Sequence, residues 1–335
     1  AEGKVCQHAQ IGFRDPARTK RAMAEVHAAC ARRDAPLVRY GICLDWVMGL
    51  PRDRREGVTR GTGLILDGAE DFVAVANAAP VAPHFGDFIM GFPASVENTC
   101  AALAAGATAV GNLGQYFSFR LPGWDDDVAS TTATVTALSL LAHQEAEVLV
   151  HSNLDDGFAS MFDDLASVLG LAMVEKYIVE DLLGARLSHC WGHHFSDPLR
   201  RFAFHLALSE VNGTPGTMIY GNTVSYQGST AENFASLASY LGTDIAGQML
   251  RPSGHAINPV PVSENSRIPD IDEIIDAQLF AARLGSRMAG NVAMIDMAVP
   301  EEIAGQLVVG AEGFKARLMA GFAGAGIRTG DAVEM

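Results

Sequence analysis

The sequence predicts an α/β protein whose single main domain is a (β/α)8 barrel, the TIM-barrel fold. Short runs rich in β-forming residues recur along the chain, and amphipathic segments with helical spacing separate them. Strands that alternate with helices pair in parallel through right-handed crossovers, and eight such units favour closure into a barrel. No Gly-x-Gly-x-x-Gly turn follows the first predicted strand, which disfavours an open dinucleotide-binding sheet.

The predicted strands share short length and a high content of branched apolar residues. In chain order they are Leu37–Leu44, Pro80–Phe85, Ala107–Leu113, Glu147–Ser152, Leu171–Glu175, Arg186–Trp191, Thr217–Tyr220 and Ile245–Leu250. Helix starts fall between them: Asp197 before Pro198 predicts an N-cap with a first-turn proline, and Ser229 with Glu232 resembles a capping box.

The chain has 335 residues, of which 49% are apolar, so it can bury a large core. We expect a helical N-terminal extension over residues 1–35, the barrel over 36–290 and a helical C-terminal tail over 291–335. The net charge of −15 leaves no basic surface for nucleic acid. Five scattered cysteines indicate reduced thiols, and no apolar run is long enough to cross a bilayer. These features predict a cytoplasmic protein without a nucleic-acid or membrane partner.

Six of the ten histidines fall at the carboxyl ends of four predicted strands, where a barrel carries its active site. Imidazole titrates near neutral pH and can exchange protons with a substrate. Any one of these histidines taken alone could equally be a buried core residue, and Glu175 could be an exposed helix start. The predicted catalytic residues are His84, His151, Glu175 and His189.

Other polar side chains also follow the predicted strands. The planar guanidinium of Arg39 suits the carboxylate of a small acid, although a pair with a carboxylate in the barrel wall would explain this residue as well. The predicted substrate-binding residues are Arg39, Asn112, Tyr116, Asn153, Tyr220 and Asn222.

A metal site is one alternative reading of the histidines. His189, Cys190, His193 and His194 carry ligand atoms that zinc binds, but their spacing is not that of a known zinc site. We therefore predict no metal, and keep a hydrolase or lyase, with or without a metal, as the alternative function. A noncatalytic binding protein on the same scaffold is a third hypothesis, because fold alone does not assign function.

Three parts of the sequence carry a resemblance. They are the run Pro36–Gly41, the run Pro80–Ser95 with the strand that follows it, and the run RPSGHAINPVPVSEN over Arg251–Asn265 before a helix from Ile271. These segments resemble the barrel subunit of glutamate mutase (methylaspartate mutase, large subunit), in patches between about residue 36 and residue 287.

The resemblance implies a barrel that covers adenosylcobalamin and shelters the radical rearrangement of a small carboxylic or amino acid. It implies an oligomer with a separate small Rossmann-like subunit that holds the corrin. Arg39 would bind a substrate carboxylate, and Arg251 and His255 would lie near the adenosyl ribose. The cofactor-binding residues expected on this basis are Gly114, Arg251, His255 and Asn258. The sequence thus predicts the catalytic barrel subunit of an adenosylcobalamin-dependent isomerase, a mutase or an aminomutase.

The chain also departs from that family. Ala82 and Pro83 stand where a second substrate arginine is expected, which puts glutamate itself in doubt as the substrate. Leu187 replaces the aspartate of the cobalamin-ligand motif Asp-x-His-x-x-Gly. If cobalamin binds, its lower ligand comes from a partner chain or from its own base.

Overall fold

In a computed structural model, the chain forms a closed barrel of eight strands that pair in chain order. The structure describes residues 5–155, 162, 164–254 and 256–335. Every pairing is parallel, and contact between the first and last strands closes the sheet at Gln7 and Ile257. The predicted (β/α)8 barrel is confirmed.

The strands are short, as is usual for the staves of a barrel. They are β1 (Gln7–Ile11), β2 (Leu37–Ile42), β3 (Ala82–Phe85), β4 (Ala109–Val110), β5 (Leu149–Asn153), β6 (Arg186–Trp191), β7 (Met218–Tyr220) and β8 (Ala256–Asn258). All strands run the same way, so their carboxyl ends and the loops after them meet at one face, here called the mouth; the opposite face is called the base.

Helices follow the strands and cover the outside of the barrel. They are α1 (Pro16–Arg32), α2 (Ala69–Ala76), α3 (Ser95–Ala104), α4 (Gln115–Ser118), α5 (Asp127–Ala142), α6 (Leu165–Lys176), α7 (Pro198–Val211), α8 (Thr230–Leu250), α9 (Ile271–Val292) and α10 (Ala298–Gly324). The predicted helix starts are confirmed: Asp197 accepts a hydrogen bond from the Arg200 amide, and Ser229 with Glu232 forms a capping box.

Two predicted strands are helices. Leu171–Glu175 belongs to α6, and Ile245–Leu250 forms the last turns of α8. Both runs are apolar because these helices bury the sides that face the barrel, and a short apolar run has no period that separates a strand from a buried helix.

The barrel instead takes its first and last strands from β1 and β8. Because β1 lies at Gln7–Ile11 and α1 follows it, the described residues of the predicted helical extension, 5–35, instead contribute the first β/α unit. In β1 the polar Gln7, His8 and Gln10 interrupt the apolar pattern, which concealed the strand. In β8 the strand is only three residues long.

The apolar core lies between the barrel wall and the surrounding helices. One cluster packs α1, α2, α3 and α5 against the first half of the sheet, and Phe72 on α2 contacts Phe85 on β3 at a ring separation of 4.8 Å. A second cluster packs α6, α7, α8 and α9 against the other half. The apolar shell fixes the strands, so the interior of the barrel can carry polar residues.

The C-terminal residues 291–335 are largely helical, through α10. This helix packs across α6 and α7 on the outside of the barrel. Phe314 on α10 lies against Gly170 on α6, where an added Cβ atom would approach the Phe314 ring to 2.7 Å. Among the described helices, none is both long enough and apolar enough to cross a bilayer.

Candidate functional site at the barrel mouth

A cavity of about 500 Å³ opens at the mouth. Its walls come from the carboxyl ends of the strands and from the loop after β8, which is the position of the active site in (β/α)8 enzymes. The polar side chains in its lining are Gln10, Cys43, Thr62, Asp87, Asn112, Asn153, His193, Tyr220, Thr223, Asn258, Glu264, Asn265 and Gln278. Four of these, Asn112, Asn153, Tyr220 and Asn258, were predicted from the sequence as site residues.

The most specific arrangement in this cavity joins Asp155 and His193. Asp155 follows β5, and its carboxylate accepts hydrogen bonds from the amides of Gly192, at 2.9 and 3.0 Å, and of His194, at 3.0 Å. The ring nitrogen Nδ1 of His193 lies 3.4 Å from Asp155 Oδ1. Burial alone would raise the pKa of Asp155, but the bonds from His193 and the two amides bring it below its ordinary value. Asp155 is therefore an ionised anchor for the imidazole.

The His193 ring also stacks on the ring of Tyr220, with centroids 4.3 Å apart. The Tyr220 hydroxyl in turn accepts a hydrogen bond from Gln10 Nε2. These contacts hold an imidazole and a phenol side by side in the wall of one cavity. Both are groups that can hold or move a proton.

A buried arginine fixes the backbone beneath this pair. Arg201 on α7 is fully buried and makes a two-point ion pair with Asp244 on α8, at 2.9 and 2.7 Å. Its other donors bind the carbonyls of Gly192 and Tyr220, both at 2.7 Å. Burial opposes the charge, yet the Asp244 carboxylate raises the pKa of Arg201. The buried, charged Arg201 thus fixes the backbone that positions the side chains of His193 and Tyr220.

Glycine is required at position 192 because the Tyr220 carbonyl and the Arg201 guanidinium approach its backbone closely. Its φ is +115°, and an added Cβ atom would lie 2.4 Å from the Tyr220 carbonyl and 2.7 Å from the Arg201 guanidinium. Only glycine avoids these clashes. The sequence His189-Cys190-Trp191-Gly192 therefore ends in glycine because β6, β7 and α7 meet there.

Two buried asparagines in the cavity have unused hydrogen-bonding capacity. Asn258 is 1% exposed and Asn112 is 8% exposed. Within the described part of the chain, Asn258 Nδ2 has no acceptor and Asn112 Oδ1 has no donor. A buried polar group left unpaired costs about 1–3 kcal/mol, so groups of this kind in a cavity are suited to a polar ligand.

The carboxylates of Asp87 and Glu264 both affect the pKa of Cys43 in the cavity lining. Burial raises the pKa of the Cys43 thiol well above its ordinary value, and the nearby charges of Asp87 and Glu264 raise it further. Glu264 lies in the loop after β8 and is exposed to the open cavity, yet the surrounding protein, together with Glu273, raises its pKa to about 7. Solvent in the cavity reduces the size of this upward shift in the pKa of Glu264. The cavity is therefore acidic in character.

Below the cavity, the barrel interior is filled by histidines. The rings of His8 on β1, His84 on β3 and His151 on β5 lie in sequence, at centroid separations of 6.0 and 4.9 Å. These strands are not neighbours, so their rings can meet only across the interior. The interior is thus polar, and it is packed by side chains like the layers of other barrels.

His151 has a defined tautomer in this cluster. Its Nε2 donates to the Gly216 carbonyl at 2.8 Å, and the Cys190 thiol donates to its Nδ1 at 2.9 Å. Burial lowers the pKa of His151 to about 4, and it lowers that of His8 well below the ordinary value. Both imidazoles are neutral at pH 7.

Comparison with known proteins adds little to this picture. No protein-family model matches the chain, and no curated protein matches it. Among solved structures, one from Burkholderia cenocepacia J2315 described as a "putative phosphonomutase" is similar, at 14% identity over 76% of this chain and 88% of that chain, with a TM-score of 0.39. A similarity of this size says nothing about function, and the barrel is established by the strand pairing itself.

Two of the predicted catalytic residues, His189 and Glu175, lie outside the barrel wall. His189 points out of the barrel wall, and its Nε2 donates to Glu175 Oε2 on α6 at 3.0 Å. Ser152 donates to the other Glu175 oxygen at 2.6 Å, and Asn212 donates to His189 Nδ1 at 3.2 Å. Successive residues of a strand face opposite sides, so His189 points outward where Cys190 points inward. His189 and Glu175 form a buried polar link between the sheet and α6.

The other two, His84 and His151, lie in the interior histidine cluster. Neither lines the mouth cavity. They were placed at strand ends in the sequence, but β3 and β5 end at Phe85 and Asn153, so the two rings lie below the rim.

Arg39 is at the base of the barrel. It is the third residue of β2, and its Nη1 lies 3.4 Å from Thr108 Oγ1, just before β4 begins. Burial lowers its pKa from the ordinary value. The sequence prediction placed Arg39 at a strand end, but β2 continues to Ile42 and its mouth side chain is Cys43. Arg39 therefore does not lie at the mouth, where it was predicted to bind a substrate carboxylate.

Tyr116 and Asn222 also lie away from the cavity lining. The Tyr116 hydroxyl bonds to Thr131 on α5, beside a separate aromatic groove that includes Phe92 and Phe119. Asn222 Oδ1 accepts from the Ser225 amide at 3.2 Å and shapes the turn after β7. Asparagine is common in such turns for this reason.

The residues predicted to bind the cofactor do not form one site. Asn258 lines the mouth, and Gly114 packs so closely on Asn153 that an added Cβ atom would lie 2.1 Å from its carbonyl oxygen. Arg251 ends α8 ahead of β8, at the base, and its exposed guanidinium lies 3.8 Å from Glu301 on α10. His255 lies outside the described residues. A ligand at the mouth cannot reach Arg251, so this set does not fit an adenosyl group.

Asp155, His193 and Glu264 were missing from the predicted site. Asp155 and His193 each follow a strand that was located correctly, so their position after the strand was a usable signal. Glu264 lies in the run Arg251–Asn265 after the predicted eighth strand, but nothing in that run distinguished it as a site residue. No three His, Cys, Asp or Glu side chains converge as a metal site in the part of the chain that the structure describes.

Proposed function

We propose that this protein is an enzyme that moves a proton on a small polar substrate at the barrel mouth, with His193 as the acid–base residue. The observation that carries the proposal is the hydrogen bond between His193 and Asp155, a carboxylate held ionised by two backbone amides. A carboxylate bonded to Nδ1 fixes the tautomer of the imidazole and stabilises its protonated form. Such a group can take a proton and return it.

The other cavity residues support the same role. Tyr220 lies against the His193 ring and can donate or accept through its hydroxyl. Asn112 and Asn258 offer an acceptor and a donor with which to orient the substrate. An imidazole that removes a proton and returns it to another atom of the same molecule catalyses an isomerisation, which is the reaction class we propose. Orientation and acid–base transfer are then supplied by the chain itself.

Adenosylcobalamin and a corrin-binding partner remain predictions of the sequence resemblance. The residues expected around the adenosyl group lie at opposite faces of the barrel, with Asn258 at the mouth and Arg251 at the base. We therefore derive no step from this cofactor. The alternative of a hydrolase or lyase is compatible with the same acid–base pair.

Solvent exchange tests the proposed function directly. The protein is incubated in D2O with a panel of small amino, hydroxy and keto compounds, and NMR follows deuterium uptake at carbon. His193→Gln and Asp155→Asn are expected to reduce the exchange rate by about 10²-fold or more, which is the usual contribution of a general acid–base group. His143→Gln, at the exposed end of α5, is the control. Exchange at the wild-type rate in His193→Gln, or no exchange with any compound, would contradict the proposal.

A further inference from the structure

We infer that the substrate of this site is an α-hydroxy carbonyl compound, and that the Tyr220 hydroxyl gives a proton to its carbonyl oxygen while His193 removes a proton from the neighbouring carbon. This inference rests on the proposed function, because it assigns a second catalytic residue and a substrate class to the same cavity. Both side chains line that cavity, and their rings stack with centroids 4.3 Å apart and planes 26° apart. Two proton-transfer groups held side by side suit two adjacent atoms of one substrate.

The direction of the hydrogen bond between Gln10 and Tyr220 supports the donor role of Tyr220. Cys43 Sγ lies 3.6 Å from Gln10 Oε1. Burial raises the pKa of this thiol well above its ordinary value, so the thiol stays protonated and donates. The amide oxygen of Gln10 therefore faces Cys43, and the amide NH2 donates to the Tyr220 hydroxyl. A hydroxyl that accepts from an amide can give its own proton to a ligand, and the same amide stabilises the phenolate that remains.

The barrel wall holds Gln10 and Tyr220 in this arrangement. Gln10 lies on β1 opposite Gly41 of β2, where an added Cβ atom would come within 1.9 Å of Gln10 Oε1. Glycine at position 41 thus leaves the space that the amide occupies. Tyr220 is the last residue of β7, and Arg201 donates to its carbonyl at 2.7 Å. Both side chains stand on strands instead of loops, which suits groups that must keep a precise position.

The two groups complete an isomerisation without another reagent. His193 takes the proton from the carbon that bears the hydroxyl, and the electron pair of the broken C–H bond forms a carbon–carbon double bond. The carbonyl π pair takes the Tyr220 proton, which leaves a neutral enediol, an imidazolium and a phenolate. The phenolate then takes the proton of the substrate's original hydroxyl, and the imidazolium returns its proton to the former carbonyl carbon. A ketone without that hydroxyl can only return to itself, so an α-hydroxy carbonyl compound is the simplest class that this pair isomerises.

Four probes separate the carbonyl group from the hydroxyl: dihydroxyacetone and D-xylulose carry both on adjacent carbons, acetone lacks the hydroxyl, and glycerate has a carboxylate in place of the carbonyl. NMR in D2O follows deuterium uptake at carbon and conversion to the aldose, each above the rate without protein. The two hydroxy ketones are expected to exchange and isomerise, about tenfold or more faster than acetone or glycerate exchanges. Glycerate that exchanges as fast as the hydroxy ketones would overturn the inference.

Variants of the donor pair test the role of Tyr220. Tyr220→Phe keeps the stacked ring and should slow exchange of the hydroxy ketones by about 10²-fold. Gln10→Glu keeps the shape of the side chain and places an acceptor where the amide NH2 lies, so it should slow exchange about tenfold, the size of one hydrogen bond to a charged group. Tyr177→Phe is the matched control and should stay within about twofold of wild type, because its hydroxyl donates to the Thr329 carbonyl outside the barrel.

A double-mutant cycle separates catalysis from a merely structural role. Because Gln10 acts through the Tyr220 hydroxyl, Gln10→Glu should slow exchange no further in the Tyr220→Phe background. Additive effects, or wild-type exchange in Tyr220→Phe, would overturn the inference. If Tyr220→Phe does not fold, wild-type exchange in Gln10→Glu overturns it instead. Exchange that is lost in His193→Gln but kept in Tyr220→Phe contradicts this inference alone, and the reverse result contradicts the proposed function alone.

Discussion

A neutral imidazole in the barrel interior makes stability depend on pH. Burial lowers the pKa of His151 to about 4, whereas an unfolded histidine titrates near 6.5. Between these values the unfolded chain binds a proton that the folded chain does not bind. The share of His151 in the free energy of unfolding is therefore complete above about pH 6.5, falls as the pH drops toward 4, and changes no further below that. The size of this share is on the order of 3 kcal/mol.

We predict that His151→Gln removes this share, so that urea unfolding of the variant depends less steeply on pH between 4 and 6.5. The slope is compared with wild type at each pH. Cys190→Ser keeps the imidazole and a hydroxyl that can donate to Nδ1, so it is expected to keep the wild-type slope. An unchanged slope in His151→Gln would mean that His151 is protonated in the folded state.

At the level of single residues, the sequence revealed which residue types gather at strand ends but not the direction in which they point. His151 and His189 both occur in strands that were recognised. One faces the interior and the other pairs with Glu175 outside the wall. A shift of one residue along a strand reverses the face, and an error of two residues at the end of a strand moves a side chain from the rim into the interior.

The contact between α6 and α10 offers a test at the level of elements. Gly170 lies in the middle of α6, where an added Cβ atom would be 2.7 Å from Phe314 Cδ1 and 2.8 Å from the Ala311 carbonyl. Because α10 must move away to admit a methyl group, Gly170→Ala is expected to destabilise the protein by about 1–3 kcal/mol. Thermal and urea unfolding measure this change.

Gly285 in α9 is the matched control, since an added Cβ atom there meets nothing within 4 Å. Gly285→Ala should stabilise the protein by about 0.5–1 kcal/mol, because alanine has the higher helix propensity. If Gly170→Ala and Gly285→Ala have the same sign, α10 does not pack on α6 as described.

Elements with a clear period were predictable, and elements without one were not. Capped helices such as α7 and α8 carry their start signals in the sequence, at Asp197 and Ser229. The strand β1 was missed because its interior side carries the polar residues His8 and Gln10, where an apolar core was expected. The run Ile245–Leu250 was taken for a strand because local sequence does not report that the helix begins at Thr230 and continues.

At the scale of the whole molecule, the barrel separates three environments along its axis. The mouth carries an open acidic cavity, the interior carries neutral histidines, and the base carries Arg39. The number of β/α units and the barrel topology follow from alternation, which the sequence preserves even where individual strands are misplaced. The distribution of polar groups along the axis depends on strand register, which only the closed sheet defines.

This separation predicts how a substitution at the base behaves. Arg39→Lys keeps the positive charge and loses the contact with Thr108, so some loss of stability is expected. The rate of deuterium exchange catalysed at the mouth should stay within about twofold of wild type, because Arg39 does not line the cavity. Exchange measured with Arg39→Lys, beside His193→Gln as the variant expected to slow it, provides the comparison. A tenfold loss of exchange rate in Arg39→Lys would show that the substrate reaches through the interior to the base. It would then restore the role in substrate binding that the resemblance to glutamate mutase implies for this arginine.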